Sequence, residues 1–330
     1  MATIGATCLT LLDWMKRKDP NGQTAKIIEL LSQRNDVLSD IMWKEGNLPN
    51  GEITTVRTGL PDVYYRLLNR GVAPSKSHTA QITEATSILE ARSQVDCKLA
   101  DMSANVAEFR LSEARPFLEA MNQKTAYTLF YGNSLSNPEQ FNGLAVRYAL
   151  TTAANGQNIV EGAGANSVNT SIWLAVWDES TLCGIFPKGS DVGLKHEDLG
   201  IGDALDSNNY RFRAYLDRYV WEAGIALRDW RFVVRIANID VTNLVTESSA
   251  ADLIKLMIKA YNRIPSFNFG RAAWYMNRTV FQMLDIQRMS AVSTGGGLDY
   301  AVVDGKNVPA FRGIPIRICD VLVNNELHVA

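Results

Sequence analysis

Near the end of the chain, "AFRGIPIRIC" (310–319) alternates between apolar and polar positions: Ile314, Ile316 and Ile318 share one parity and Arg317 points the other way. That is the period of a half-covered strand, entered through a tight turn at Gly313. Pro315 has no N–H to give, so the strand lies at an edge or is only beginning there. A weaker alternation runs through "TEATSILEARSQVD" (83–96): Thr83, Ala85, Ser87, Leu89, Ala91, Ser93 and Val95 make one small face, and Glu84, Glu90, Arg92 and Asp96 lie opposite. "GEITTVRTGL" (51–60) has the Thr, Val and Ile of a strand. With the polar loop that contains "LPDVYYRLLNRGVAPSKS", these segments predict an extended hairpin over 43–96 with little to bury. An isolated hairpin is marginal in water and its edges invite pairing, so another copy of the chain is expected to receive it.

A helical period takes over in "SEARPFLEAMNQKTAYTLFYGN" (112–133). Ser112 is the expected N-cap, Pro116 falls in or just after the first turn, and Gly132 is the expected stop. Ala114, Phe117, Leu118, Met121, Thr125 and Leu129 form the predicted buried stripe of a strut nearly 30 Å long, at about 1.5 Å per residue. The loop "SLSNPEQFNGLA" follows. Residues 158–245 read as strands rich in aromatics, among them Trp173, Trp177, Trp221 and Trp230. Then come a helix, "SAADLIKLMIKAYNRI" (249–264), capped by Ser248 or Ser249, a strand, "AAWYMN" (272–277), and a third helix, "RTVFQMLDIQRM" (278–289). At the other end, residues 1–42 offer three short amphipathic pieces broken by the turn "DPNG" (19–22): Leu9, Leu12 and Met15; Ile27, Ile28, Leu30 and Leu31; Val37, Leu38 and Ile41. Such short pieces need cover from outside themselves. The pattern leaves open whether the chain's own body or a neighbour supplies it.

Composition narrows the possibilities. With 46% hydrophobic and 21% charged residues, the 330-residue chain has the make-up of a globular protein. Its 33 basic and 35 acidic residues argue against a dedicated nucleic-acid binder, though not against contact with packaged nucleic acid. Cys8, Cys97, Cys183 and Cys319 show no metal-like spacing and read as reduced thiols of a cytosolic protein. The first residues lack a signal peptide's basic start, and no apolar run approaches the roughly 20 residues of a membrane span. A soluble intracellular protein is the expectation.

A search for chemistry returns none. His78, His196 and His328 have no His or Cys partner at helical spacing, so no catalytic residue, metal ligand or cofactor is assigned. "GAGANS" (162–167) lacks the third glycine of a dinucleotide fingerprint, and "GGG" (295–297) lacks the Lys-Ser/Thr of a phosphate loop. "LKHEDLG" (194–200) reads as a solvated loop. "YRFRAYLDRYVWEAGIALRDWR" (210–231) interleaves aromatics with arginines, as single-strand binders do. Asp217, Glu222 and Asp229 counter those arginines, which favours a sheet with Arg-rich contacts between subunits.

Taken in order, a terminal arm, a long hairpin, a helix ending "FYGN…FNGLA" and a helix–strand–helix resemble the major capsid proteins of tailed bacteriophages, whose fold is named for the Hong Kong phage and shared with herpesvirus floors and encapsulins. "AAWYMNRTVFQMLDIQRM" and the Gly-x-Pro strand "FRGIPIRICD" carry the local likeness, and "IFPKGS…WEAGIALRDWRFVVRIANID" resembles the short-tailed phages in particular. The resemblance implies an α+β capsid fold: an N-terminal arm (1–42), an extended hairpin or E-loop (43–96), a peripheral domain with a spine helix (97–142 and 213–245) and an axial domain (143–212 and 246–330). It implies no enzyme, but a shell of hexamers and pentamers in the virion, made in the host cytoplasm, around double-stranded DNA that it touches without sequence preference. Decoration or cement, scaffolding and portal proteins would be its partners, and it would have no membrane. The alternatives are an encapsulin-like compartment or, in another class, an enzyme or nucleic-acid-binding protein with an unseen site.

One departure stands out. The family order continues well past the Gly-x-Pro strand, whereas only "VLVNNELHVA" follows here. A permuted connectivity is therefore expected, with the returning sheet segment moved upstream of the 249–264 helix. On that reading "RFVVRIANID" (231–240) joins the strands of 83–102 beside the spine helix, with Val234, Ile236 and Ile239 as its cover. The terminal strand instead lies beside Trp274 and Met276, with Arg317 exposed.

Overall fold

The computed structural model describes residues 32–103, 105–165, 167–206, 208–247, 250–291, 299–303 and 306–329. The first two amphipathic pieces of the arm, the Ser248 or Ser249 cap and the "GGG" tip lie outside them. In chain order come α1 (Val37–Asp40), β1 (Trp43–Glu45), β2 (Gly51–Gly59), β3 (His78–Asp96), α2 (Cys97–Asp101), α3 (Val106–Tyr131) and α4 (Leu144–Arg147). There follow β4 (Ile159–Glu161), β5 (Asn169–Trp177), β6 (Leu182–Phe186), β7 (Leu194–Leu205), β8 (Arg211–Leu227), β9 (Val233–Asp240) and α5 (Val241–Val245). The last group is α6 (Leu253–Tyr261), β10 (Arg271–Met276), α7 (Arg278–Ala291), β11 (Asp299–Val303), β12 (Lys306–Phe311) and β13 (Ile314–Ile318).

The described strands join one ladder, whose main path runs β11-β12-β13-β10-β5-β6-β8-β3-β2. The closing strand sits where its alternation placed it: β13 pairs in parallel with β10, Trp274 opposite Ile316 and Met276 opposite Ile318. β9 corrects the expectation for "RFVVRIANID". It pairs with β5 and β4, several strands away from β3. All eight of its residues are buried, so both faces have cover and parity alone does not tell which partner each face meets. Val233 and Ala237 face the C-terminal end of α3, with Ala126, Leu129 and Phe130. Val234, Ile236 and Ile239 face α6 and α7 instead. The strand that does pair with β3 is β8, from Thr86 opposite Gly224 to Asp96 opposite Ala214. β8 also stands upstream of α6.

Helix α3 is longer than its stripe suggested. It begins six residues before Ser112, where Asn105 Oδ1 accepts from the amides of Ala107 (3.1 Å) and Glu108 (3.4 Å). Ser112 lies inside and donates its hydroxyl back to Phe109 O (2.7 Å), and Pro116 is tolerated within the helix. At about 1.5 Å per residue its 26 residues span about 39 Å. Met121, Thr125 and Leu129 are buried as expected, but Leu118 is 37% exposed. Gly132 ends the helix because a side chain has no room: a Cβ there would lie 2.4 Å from Phe141 O. Gly143 is equally confined, 2.6 Å from Thr128 O, and its amide donates to Gly132 O (2.8 Å). The two glycines of "FYGN…FNGLA" thus close one loop against the helix end. "LKHEDLG" is not a loop but the start of β7, paired with β8 and bulged between Asp198 and Gly200.

Candidate assembly surfaces

Hairpin β2–β3 has a clamped root and a bare tip. At the root, Glu84 forms a bidentate pair with Arg147 of α4, one of its two contacts being 2.7 Å, and Glu52 pairs with Arg228. The Asn47 side chain bonds Ile53 through both backbone groups, at 2.7 and 2.8 Å. Glu84 therefore belongs to the buried side, against the parity expected of it, because an arginine waits there. From Leu60 to Lys76 every residue is exposed. Leu60, Val63, Tyr64, Tyr65, Leu67, Leu68 and Val72 all present apolar surface to solvent, with Tyr65 and Leu68 almost wholly bare. A contiguous apolar patch of this kind marks an interaction site. Burying Leu60, Val63, Leu67 and Leu68 alone would release about 6 to 12 kcal/mol before ordering costs.

The arginines of β8 divide. Arg218 is bound inside its own chain, to Glu90 (2.7 Å) and Glu197 (3.0 Å), while Arg211 and Arg213 stay exposed. The bonds from Arg218 and Arg92 hold the Glu90 carboxyl down at about 2. Asp217, buried under α3, accepts from Arg110 (2.9 Å) and lies 2.9 Å from His196 Nε2. His196 itself stacks on Tyr219 with ring centroids 4.9 Å apart. The three histidines sit on different elements: His78 starts β3, His196 is on β7, and His328, itself exposed, lies in the C-terminal segment after β13. Among the described residues no cluster of His, Cys, Asp and Glu could hold a metal ion. Cys97, Cys183 and Cys319 are free thiols, and burial pushes Cys183 up to about 11. No described helix is long and apolar enough to cross a membrane.

Two buried ion pairs anchor the two ends of the described chain, and neither was visible in the sequence. Glu326 meets Arg235 at 2.8 Å, both side chains about 5% exposed or less, while the hydroxyls of Ser171 and Tyr131 donate to the same carboxylate. Arg235 also donates to Tyr148 O (2.8 Å) and lies over the Trp173 ring. Asp40 meets Arg317 at 3.0 Å and accepts from Tyr275 OH (3.0 Å), which corrects the view of Arg317 as solvent-facing. Burial pushes the Asp40 carboxyl up, and Arg317 only partly offsets it. The eleven residues from Cys319 to Val329 therefore finish the core. Val321, Leu322 and Val329 pack with the end of α3, and Val329 trades two hydrogen bonds with the Asn238 side chain (2.8 and 2.9 Å). The third arm piece packs on the chain's own body, with Val37 and Ile41 in that same core.

Comparison with known proteins bears on what such a chain builds. The family model described as "Major capsid protein GP7" matches residues 19–330. The chain belongs to that family. A chain in the structure of bacteriophage Epsilon15 is 36% identical over 100% of this chain and 99% of its own, with a TM-score of 0.78. The capsid of bacteriophage JBD30 matches at a TM-score of 0.50 and 9% identity, over 89% of this chain and 92% of that one, a likeness of fold alone. An encapsulin from Synechococcus elongatus reaches 0.46 at 14% identity, over 71% and 98%, too remote to favour a compartment shell. No curated protein matches. The GP7 family is one of structural capsid proteins, not of enzymes. A GP7-family chain is a phage major capsid protein that assembles with itself into the virion shell, in the α+β fold that the resemblance implied.

Proposed function

We propose that the β2–β3 hairpin is the joint of that shell, laid across a neighbouring subunit within hexamers and pentamers. The observation that carries the reading is the contrast along one hairpin: a root held by buried ion pairs and a tip, 60–76, with every residue exposed and seven large apolar side chains uncovered. Main-chain pairing along the free edge of β2 would add to apolar burial, and many modest contacts acting together close a shell. Behind the hairpin, the proposed peripheral body holds α3 and β8 and the proposed axial body holds α6, β10, α7 and β13; the pairing of β9 with β5 favours grouping β9 with the axial body. Near-neutral charge suits a wall that encloses double-stranded DNA without gripping it. Decoration, scaffolding and portal proteins are its expected partners.

The test is a tip excision. A cut beginning at Gly51 would remove Glu52 and strand Arg228, so residues 60–77 are replaced by Asn-Gly, a two-residue hairpin turn. The expected product is folded, soluble and unable to form closed particles by electron microscopy. Normal shells from the excised chain would overturn the joint.

A further inference from the structure

β3 changes partners along its length, and the change leaves one edge open. From His78 to Ala85 it pairs with β2, and from Thr86 to Asp96 with β8 on its opposite edge. Thr86 N–H still donates to Asn50 O on the β2 side (3.0 Å). Main-chain groups alternate in direction along a strand, so Ile88, Glu90 and Arg92 aim theirs at that same side. No hydrogen bond from another described residue reaches them there. Beside this edge lies a groove of about 360 Å³, with Leu89, Phe141 and Trp221 as apolar lining, Thr125 of α3 as a wall, and Glu90 and Glu139 among its charged groups. We propose that the groove receives the Val63–Leu67 segment of a second copy, added as a strand to the free edge of β3. This placement rests on the hairpin's role as the joint of the shell.

The segment suits the groove in main chain, side chains and charge. Val63, Tyr64, Tyr65 and Arg66 make no main-chain hydrogen bond to another described residue, so they bring free donors and acceptors. Val63, Tyr65 and Leu67 share one parity and are all exposed, an apolar row for the lining. The tip carries Arg66, Arg70 and Lys76 against Asp62, and the groove carries Glu90 and Glu139 against Lys124. The chain's own tip cannot supply the strand. Tyr65 is six residues from Gly59 and so at most about 21 Å away. Ile88 is ten residues along β3 from His78, the partner of Gly59, or about 33 Å.

The experiment replaces Tyr65 by the photoreactive aromatic p-benzoylphenylalanine in the full-length chain, irradiates assembled shells and maps the cross-linked peptides. The expected result is a covalent dimer whose cross-link ends within 87–90 or 139–141 of the other chain. Interchain cross-links found only elsewhere would overturn this receiving groove and leave the hairpin standing as the joint. Shells with no interchain cross-link at all would overturn both. Independently, Ile88→Asp with Glu139→Lys changes only exposed positions. It should raise the protein concentration needed for shell formation at least tenfold, with the urea midpoint of the unassembled chain unchanged. An unchanged assembly concentration would contradict the contact.

Discussion

Replacing Arg317 by Met removes the cation from a nearly closed pair while keeping much of the side-chain volume. Asp40 is 6% exposed, and besides Arg317 its carboxylate has one neutral donor, Tyr275 OH, itself receiving the Trp177 indole N–H at 2.7 Å. Breaking a buried pair from one side costs about 3–5 kcal/mol, most of it the isolated charge that remains. The pH dependence gives the mechanism away. Burial raises the native pKa of Asp40 above its unfolded value, so between the two values the native state holds the extra proton. The contribution of such a group is most favourable at low pH and is lost as pH rises through the native value. Removing Arg317 raises that native value further. The loss caused by Arg317→Met should therefore be about 3 kcal/mol or more at pH 8 and shrink clearly by pH 5, read from urea unfolding of the unassembled chain. A loss under about 1 kcal/mol, or one equal at both pH values, would mean that Arg317 does not hold a buried Asp40 charge. Arg317→Asp would be worse still, because it sets two carboxylates together.

Glu326→Gln keeps the shape of the other buried pair but strands Arg235. It should cost about 3 kcal/mol or more, and Glu326→Leu with Arg235→Met should recover most of it, both by urea unfolding. Glu90, held at about 2 by Arg218 and Arg92, contributes stability present above its ordinary value of 4.5 and lost as pH falls through 2. The difference in unfolding midpoint between the natural chain and Glu90→Gln should vanish toward pH 2, and it should shrink in 1 M salt because the pair is exposed.

What was legible in the sequence followed from clean periodicity. Ile314, Ile316 and Ile318 alternate strictly, and β13 forms there and pairs with β10 beside Trp274 and Met276. The hairpin, its empty middle and the capsid likeness came from order and composition. Parity failed in two ways. In β9 both faces are covered, so Val233 and Val234 were indistinguishable by pattern though they serve different helices. And a lone charge between apolar residues reads as solvent-facing, whereas Glu84, Arg235 and Arg317 each meet a partner from a distant part of the chain: Arg147, Glu326 and Asp40. Such pairs have no sequence spacing to betray them. The start of α3 was missed because Ser112 has the side chain of a cap, while Asn105, seven residues earlier, makes the bonds.

Copies of this chain build the closed virion shell. Electron microscopy of the purified full-length protein, concentrated under assembly conditions, tests it most directly. Hollow, icosahedral particles of uniform diameter are expected, with the 60–76 tip of one subunit lying on another in the averaged density. A chain that stays monomeric under every condition, or particles in which that tip projects into solvent, would contradict it.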